Sequence, residues 1–280
     1  MTLFLKKLAK SENDFSKENF SMFKQEDRDS SGLYCENLNV SINGNHILKD
    51  VSLKIPKNKI TCIVGPSGCG KSTLLKTFNR IIDMTEGVKI SGKMMLGDEN
   101  IADMSFNNLT EIRRRIGLVP QRPCPLPMSI YDNIAYGCRI HGITKRKDLN
   151  KIVVHYLNEV GLWNEVRNRL RAPATGLSIG QQQRLCLARS IAIEPEIILA
   201  DEATSALDPV SSKIVEDLFV RLKEDYTIVM VTHTLRQALR IADYAIFIYM
   251  GKVVEEGPAK EVFENPQNEL TKNYLSGVFS

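Results

Sequence analysis

The octet at residues 65–72 constrains the fold of this chain more than any other feature: Gly65-Pro66-Ser67-Gly68-Cys69-Gly70-Lys71-Ser72. Its spacing, Gly-x-x-x-x-Gly-Lys-Ser, is typical of a loop that wraps around a polyphosphate. Glycines let consecutive backbone N–H groups curl around the anion, in a concavity that larger side chains would block. The alternative interpretation is a plain glycine turn between a strand and a helix.

The residues on either side of the octet favour the phosphate loop. Residues 59–64 form a short apolar run that predicts a strand, and residues 72–81 predict a helix whose positive end faces the loop. In this setting Lys71 can contact the β- and γ-phosphates of a nucleotide, and Ser72 can offer its hydroxyl to Mg²⁺.

Composition and charge narrow the class of protein. The chain has 280 residues, of which 43% are hydrophobic and 25% are charged, so we expect one large domain or one domain with a subdomain. The net charge of +4 is too small to indicate a nucleic-acid partner. No apolar run approaches the roughly 18 residues of a membrane span. The six cysteines lack zinc-like spacing and predict reduced thiols in a cytosolic protein.

The remaining pattern predicts an α/β organisation. Residues 1–30 carry mixed charges and predict a mobile extension, and residues 31–280 the folded domain. Alternation between residues 33 and 55 predicts antiparallel strands that are joined near Asn43-Gly44. Helical spacing predicts a helical subdomain at about 125–192. From residue 197 onward strands and helices alternate, which predicts a parallel sheet, and two short helices close the chain.

Two acids end the predicted strand at 197–201. Asp201 can reach Mg²⁺ directly or through water, and Glu202 can polarise an attacking water. Taken alone, an Asp-Glu pair is also compatible with a strand that ends in solvated charges.

Two further polar residues follow predicted strands. His233 could contact the γ-phosphate or orient Glu202 and its water, although a lone histidine there is commonly a turn or capping residue. Gln121 begins a proline-rich loop, and its neutral amide can bind Mg²⁺ and the attacking water.

The order of these motifs along the chain resembles that of the ATP-binding cassette ATPases, and the resemblance covers roughly residues 33–278. The motifs are the octet, Gln121, residues 177–181, Asp201-Glu202, residues 205–208 and His233. The resemblance implies an α/β phosphate-loop NTPase core with a parallel sheet, an antiparallel β subdomain and a helical signature subdomain. It implies ATP and Mg²⁺ as ligands. The implied catalytic residues are Glu202, His233 and Gln121, and the implied metal ligands are Ser72, Gln121 and Asp201. The implied ATP-binding residues are Gly65, Pro66, Ser67, Gly68, Cys69, Gly70, Lys71, Ser72, Thr73 and Ile42.

The signature segment of this family implies a head-to-tail homodimer. In the family this segment caps the γ-phosphate of the nucleotide that the other subunit holds; here it consists of Ser178, Ile179, Gly180 and Gln181. The serine hydroxyl, the glycine N–H and a helix dipole all favour an anion. Ser205 and Asp208 correspond to the loop that lies at the dimer contact.

Four segments that are less specific than these motifs resemble one subfamily, the ATPase subunit of bacterial phosphate importers. They are residues 125–137, 162–166, 180–186 and 271–277. This resemblance implies ATP hydrolysis coupled to inorganic phosphate uptake. It also implies two transmembrane permease subunits, an indirect extracytoplasmic phosphate-binding protein, no nucleic acid, and a peripheral location on the cytoplasmic face of the inner membrane. Import of another solute such as an amino acid, or a soluble non-transport ATPase, stays open as an alternative.

Three residues depart from the family pattern. Ile42 stands where the family stacks an aromatic residue on adenine, Ile179 replaces the first signature glycine, and Ala203 replaces a proline after the acid pair. We expect weaker stacking at Ile42 and a slightly looser turn at Ala203, with changes in affinity or rate and none in the reaction.

Overall fold

The computed structural model describes residues 32–105 and 108–278, so the predicted extension at 1–30 lies outside the described residues. The described residues form two compact units. The smaller unit comprises residues 119–195 and 203–215, and the larger unit comprises the described parts of 32–118, 196–202 and 216–278.

The larger unit begins with an antiparallel sheet of four strands. In the order β2-β1-β4-β5, the sheet consists of β1 (Leu33–Ile42), β2 (Asn45–Lys54), β4 (Val88–Leu96) and β5 (Glu99–Asn100). The turn between β1 and β2 places Asn43 at φ 50° and Gly44 at φ 83°. Both angles match the left-handed turn that the Asn-Gly pair favours, which confirms the predicted connection.

A second sheet of six strands forms the other layer of this unit. Its strands are β3 (Ile60–Val64), β6 (Ile116–Val119), β7 (Ile197–Asp201), β8 (Thr227–Val231), β9 (Tyr244–Tyr249) and β10 (Lys252–Pro258). The order is β10-β9-β3-β8-β7-β6, and the strands β9, β3, β8 and β7 pair in parallel. All residues of β3, β7 and β8 are buried, as expected for central parallel strands. The sequence analysis did not predict β10, which runs antiparallel to β9 and makes the sheet mixed.

Helices of the larger unit connect and flank these strands. They are α1 (Lys71–Phe78), α2 (Leu109–Arg115), α8 (Leu235–Ile241), α9 (Ala259–Glu264) and α10 (Glu269–Leu275), and α7 (Pro209–Leu222) crosses the boundary at residue 215. The predicted helix at 72–81 ends earlier, because Arg80 takes the left-handed φ of 58° and a 3-10 turn (Ile81–Met84) follows. One face of α1 packs into the main apolar core through Leu74, Leu75 and Phe78.

The smaller unit is largely helical. It contains α3 (Ile130–Ile140), α4 (Arg146–Glu159), α5 (Trp163–Val166) and α6 (Ile179–Ile191), and α3 packs on both α4 and α6. The side chain of Ser129 accepts the Asp132 N–H and thereby caps α3. These four helices lie within residues 125–192, where the helical spacing of the sequence predicts a helical subdomain. Among the described residues, no helix has both the length and the apolar character needed to span a membrane.

Candidate functional site

The octet forms a tight loop between β3 and α1. Its three glycines have positive φ angles, 149° at Gly65, 77° at Gly68 and 106° at Gly70. A Cβ atom at Gly65 would lie 2.1 Å from the carbonyl oxygen of Ile248, and one at Gly70 would lie 2.9 Å from Leu48 Cδ2. A side chain at residue 65 would therefore displace the loop from the strand beside it.

Lys71, the first residue of α1, folds its side chain back into this loop. The buried ammonium donates hydrogen bonds to the carbonyl oxygens of Gly65 and Pro66, each at 2.7 Å. Its third neighbour is the Cys69 sulfur at 3.9 Å, a weak acceptor. Burial raises the pKa of the Cys69 thiol, although the nearby ammonium opposes the shift. A phosphate oxygen would be a much stronger acceptor than this neutral thiol.

Ser72 and Asp201 bring two oxygen ligands together beside the loop. The Ser72 hydroxyl donates to Asp201 Oδ1 at 2.7 Å, and Lys76 Nζ lies 3.6 Å from Asp201 Oδ2. The carboxylate comes from the last residue of β7 and is almost fully buried. Hydroxyl and carboxylate oxygens are the ligands that Mg²⁺ prefers. Thr73, the next residue of α1, is half-buried.

Glu202 and His233 form a second polar pair, at the ends of β7 and β8. Glu202 Oε2 lies 3.1 Å from His233 Nδ1, with 19% of the glutamate side chain and 56% of the histidine side chain exposed. The Glu202 N–H donates to the carbonyl oxygen of Val231 at 3.0 Å, and the backbone of Glu202 is left-handed at φ 47°. This conformation is uncommon for a residue with a side chain. The pair has the groups needed to accept a proton from water and to hold the accepting carboxylate in place.

Gln121 and the 205–208 loop belong to the smaller unit. The Gln121 side-chain amide donates to the Ser205 hydroxyl at 3.3 Å. Asp208 Oδ1 accepts the N–H groups of Val210 and Ser211, each at 3.0 Å, where α7 begins. Hydrogen bonds from Ser211 lower the pKa of Asp208. Both predicted loop residues therefore stabilise the local conformation of the segment that leads into α7.

The signature segment begins α6 with a capping box. The Gln181 N–H donates to Ser178 Oγ at 3.3 Å, and the Ser178 N–H donates to Gln181 Oε1 at 3.0 Å. A Cβ atom at Gly180 would lie 2.7 Å from Ser211 Oγ, whereas the Ile179 side chain is 55% exposed. The cap is therefore built by the side chains of Ser178 and Gln181, and the Ile179 side chain takes no part in it.

Two contacts of the site residues were not predicted from the sequence. Lys76 lies one helical turn beyond Ser72, so its contact with Asp201 could have been inferred from the i, i+4 spacing. Glu165 accepts from the Gln181 amide at 2.7 Å, and it comes from a separate helix for which the sequence offers no signal.

The structure brings together the octet, Asp201, Glu202 and His233 in the larger unit, and Gln121 with Ser205 in the smaller unit. A cavity of about 280 Å³ lies beside the phosphate loop; its lining includes His46, Ile47, Ser67, Tyr249 and Met250. Ile42, the last residue of β1, pairs with Asn45 and Val88 and is partly buried. Its contact with adenine stays a prediction.

Comparisons with known proteins agree with this geometry. The family model described as ABC transporter matches residues 48–205. The Phosphate import ATP-binding protein PstB of Thermotoga maritima is 51% identical over 230 residues, which cover 82% of this chain and 91% of that protein. The protein of the same name from Borreliella afzelii is 48% identical over 260 residues, which cover 92% of this chain and all of that protein.

Solved structures of ATP-binding cassettes share the fold. CbiO1 from Clostridium perfringens, part of the ABC transporter complex CbiONQ, has a TM-score of 0.74 and 28% identity, covering 88% of this chain and 95% of that one. The dimeric cassette MJ0796 bound to ADP and Pi has a TM-score of 0.70 and 29% identity, covering 81% of this chain and 98% of that one. The predicted α/β phosphate-loop class is confirmed, and the chain belongs to the ABC transporter family.

Proposed function

We propose that this chain is the ATP-hydrolysing subunit of a membrane importer of inorganic phosphate. The observation that carries the proposal is the Ser72–Asp201 hydrogen bond of 2.7 Å beside a loop that encloses the Lys71 ammonium. The cargo assignment is supported by two relatives named as phosphate import ATP-binding proteins, which are 51% and 48% identical. Both alignments extend over most of the chain.

In this proposal the loop holds the phosphates of ATP. Backbone N–H groups of the octet, in which Pro66 has none, donate to the phosphate oxygens, and Lys71 releases its carbonyl partners to contact the β- and γ-phosphates. Ser72 and Asp201 fit a Mg²⁺ ion by their oxygen chemistry, and Gln121 is the third proposed ligand. Bound there, Mg²⁺ would neutralise phosphate charge. Ile42 is the residue that we propose contacts the adenine of ATP.

Glu202 is the proposed general base. Its carboxylate accepts a proton from water while the water oxygen bonds to the γ-phosphorus and the bond to the bridging oxygen of ADP breaks. His233 lies 3.1 Å from that carboxylate and holds Glu202 in place. In the proposed complex with ATP it would also contact the γ-phosphate. Gln121 orients the attacking water. The products are ADP and inorganic phosphate.

A second copy of the chain completes each site in this proposal. Ser178, Ile179, Gly180 and Gln181 of one copy would face the γ-phosphate that the other copy holds, with Ser205 and Asp208 at the contact. The start of α6 at this segment supports this role, because the N-terminal end of a helix carries a partial positive charge that attracts an anion. We place the helical subdomain at about 125–192, and the dimer against two permease subunits on the cytoplasmic face of the membrane.

Two measurements test the proposal. The purified chain should hydrolyse ATP in the presence of Mg²⁺, and the gene should restore phosphate uptake to cells that lack their own importer ATPase. Glu202→Gln should abolish both activities, whereas Lys93→Ala, which removes an exposed lysine paired with Glu36, should preserve both. If the chain hydrolyses ATP but restores uptake of a different solute, the role as an importer ATPase stands and phosphate as the transported solute is refuted. Absence of hydrolysis and of uptake would refute both parts.

A further inference from the structure

The buried side chain of Gln183 contacts the backbone immediately before Gln121. Gln183 lies on α6 and is 1% exposed, and its Nε2 donates a hydrogen bond to the carbonyl oxygen of Pro120 at 3.1 Å. The Pro120 carbonyl and the Gln121 N–H belong to one peptide group, which is planar. The hydrogen bond therefore sets the orientation of the backbone from which the Gln121 side chain starts.

The proline loop at 120–127 depends on other elements for its hydrogen bonds. Four of its residues are prolines, which have no backbone N–H, so the loop cannot form a ladder of its own. Arg189 of α6 donates to the carbonyl oxygen of Cys124 at 3.0 Å. Asn133 of α3 is fully buried; it accepts the Leu126 N–H at 2.8 Å and donates to the Leu126 carbonyl oxygen at 3.2 Å. The position of the proline loop is therefore set by α3 and α6.

The helix that supplies two of these donors also carries the signature segment at its first turn. Ser178 caps α6, and Gln183 and Arg189 follow on the same helix, which ends at Ile191. The turns of a helix are hydrogen-bonded to one another, so the helix moves as one body. A displacement of the signature segment therefore carries both donors, and through them the proline loop, with it.

Only one half of the Gln183 amide has a partner. Within the described part of the chain, Oε1 of Gln183 is buried and accepts no hydrogen bond. A buried acceptor without a partner is unfavourable, because it has lost its hydrogen bonds to water. The presence of an amide at this position is thus explained by its donor, which Pro120 uses.

We propose that Gln183 is a positioning residue that holds Gln121 in a fixed place relative to the signature segment of the same chain, with Arg189 as a second support of the proline loop. The inference rests on the proposed function, because it assumes that Gln121 orients the attacking water. A nucleotide that the second copy holds against the signature segment would then influence Gln121 through α6.

The chain contains its own probe for the first test. Cys124 lies in the proline loop and is exposed, whereas the other five cysteines are buried. A nitroxide label on Cys124 therefore reports whether the loop is held against α6, and it needs neither nucleotide nor Mg²⁺. Gln183→Met keeps an unbranched side chain of similar length and removes the donor. It should lower the ratio of immobilised to mobile label by about two- to tenfold, the effect of losing one hydrogen bond, and Arg189→Met should act in the same direction.

Turnover supplies the second test. Gln183→Met should lower turnover by about two- to tenfold, and the ATP affinity measured without Mg²⁺ should stay within about twofold because the octet is unchanged. If Gln183 acts through Gln121, its effect on turnover should disappear in a chain that already carries Gln121→Ala. Effects of the two changes that simply multiply would overturn the inference, because they would show that Gln183 acts independently of Gln121.

The matched control is Gln237→Met, at a glutamine that is 4% exposed and donates to Glu216 Oε1 at the same distance of 3.1 Å. It removes a similarly buried donor from the larger unit. The label ratio should not change, and any effect on turnover should be the same with and without Gln121→Ala.

The two tests separate this inference from the proposed function. An unchanged label ratio in Gln183→Met would overturn the inference, and if that variant does not fold, the same result in Arg189→Met would do so. Absence of ATP hydrolysis by the unaltered chain would instead refute the proposed function and the role of Gln121 in it. The label measurement, made without nucleotide, would still decide whether α6 holds the proline loop.

Discussion

The left-handed backbone of Glu202 predicts an unusual order of stability among variants at this position, with glycine more stable than alanine. At most positions, replacing a side chain by glycine destabilises the protein by about 0.5–1 kcal/mol more than replacing it by alanine, because glycine is freer in the unfolded chain. At φ 47°, however, any side chain is strained. Relief of that strain stabilises glycine by about 1–2 kcal/mol relative to alanine. Glu202→Gly should therefore be more stable than Glu202→Ala.

The difference between these two variants is about 0.75 kcal/mol in the free energy of unfolding, within a range of about 0–1.5 kcal/mol, from the strain relief minus the entropic term. Both variants lose the same contact with His233, and this contact contributes at most about 1 kcal/mol because the histidine is more than half exposed. The contact cancels in the comparison. Glu202→Gln keeps the shape of the side chain and should unfold like the original protein.

Urea unfolding without nucleotide measures the stabilities, and steady-state hydrolysis measures the function. All three variants should lose roughly a hundredfold or more in turnover, since each lacks the proposed general base. ATP binding should persist in Glu202→Gln. An alanine variant at least as stable as the glycine variant would refute the strain argument. Near-normal turnover in the glutamine variant would refute the role of the carboxylate as base.

Three further predictions concern affinity and stability. Lys71→Ala should weaken ATP binding at equilibrium, because the ammonium is proposed to contact the phosphates in the ground state; unchanged affinity in a binding titration would contradict this. Ile42→Tyr should lower the dissociation constants of ATP and ADP alike by about two- to twelvefold, because the new ring would stack on adenine. Tighter binding of ATP alone would show that another residue contacts the adenine. Glu216 is 3% exposed, and its carboxylate accepts a hydrogen bond from Arg240 at 2.6 Å. Glu216→Ala should lower the free energy of unfolding, measured by chemical denaturation, by about 2–3 kcal/mol. Glu269→Ala, at a side chain that is 78% exposed, is its control and should cost less than about 0.5 kcal/mol; equal losses would contradict the buried network.

Much of the larger sheet could be predicted because its strands are short, apolar and followed by polar residues. The predicted strand at 197–201 coincides with β7, since continuous burial on both faces leaves an uninterrupted apolar run between Glu196 and Asp201. The phosphate loop could also be predicted from the sequence, because its positive φ angles at Gly65, Gly68 and Gly70 require glycine.

Other elements gave no local signal. The hairpin between β9 and β10 turns at Met250 and Gly251, with φ angles of 48° and 80°. Methionine is not a residue that the first position of such a turn favours, so the turn was not predicted and β10 was missed with it. Arg80 ends α1 early in the same way, because an arginine with positive φ cannot be anticipated from the sequence pattern.

The candidate site was predictable where its residues follow strand ends and unpredictable where partners come from distant helices. Asp201 and His233 could be placed at one edge of the sheet, because parallel strands end together. The support of Gln181 by Glu165 depends on packing between separated segments. Neither segment carries a spacing that points to the other.

The local geometry explains why the signature segment tolerates an isoleucine at its second position. The cap of α6 is built by the side chains of Ser178 and Gln181, and close packing limits only Gly180, which faces Ser211. Ile179 lies at the first helical position with its side chain largely in solvent, so neither the cap nor the backbone N–H groups require a glycine there. Any effect of Ile179 on function must then arise where that exposed side chain meets another molecule. In the proposed dimer that molecule is the second copy of the chain, so Ile179→Gly should change the assembled pair and leave the isolated chain unaltered.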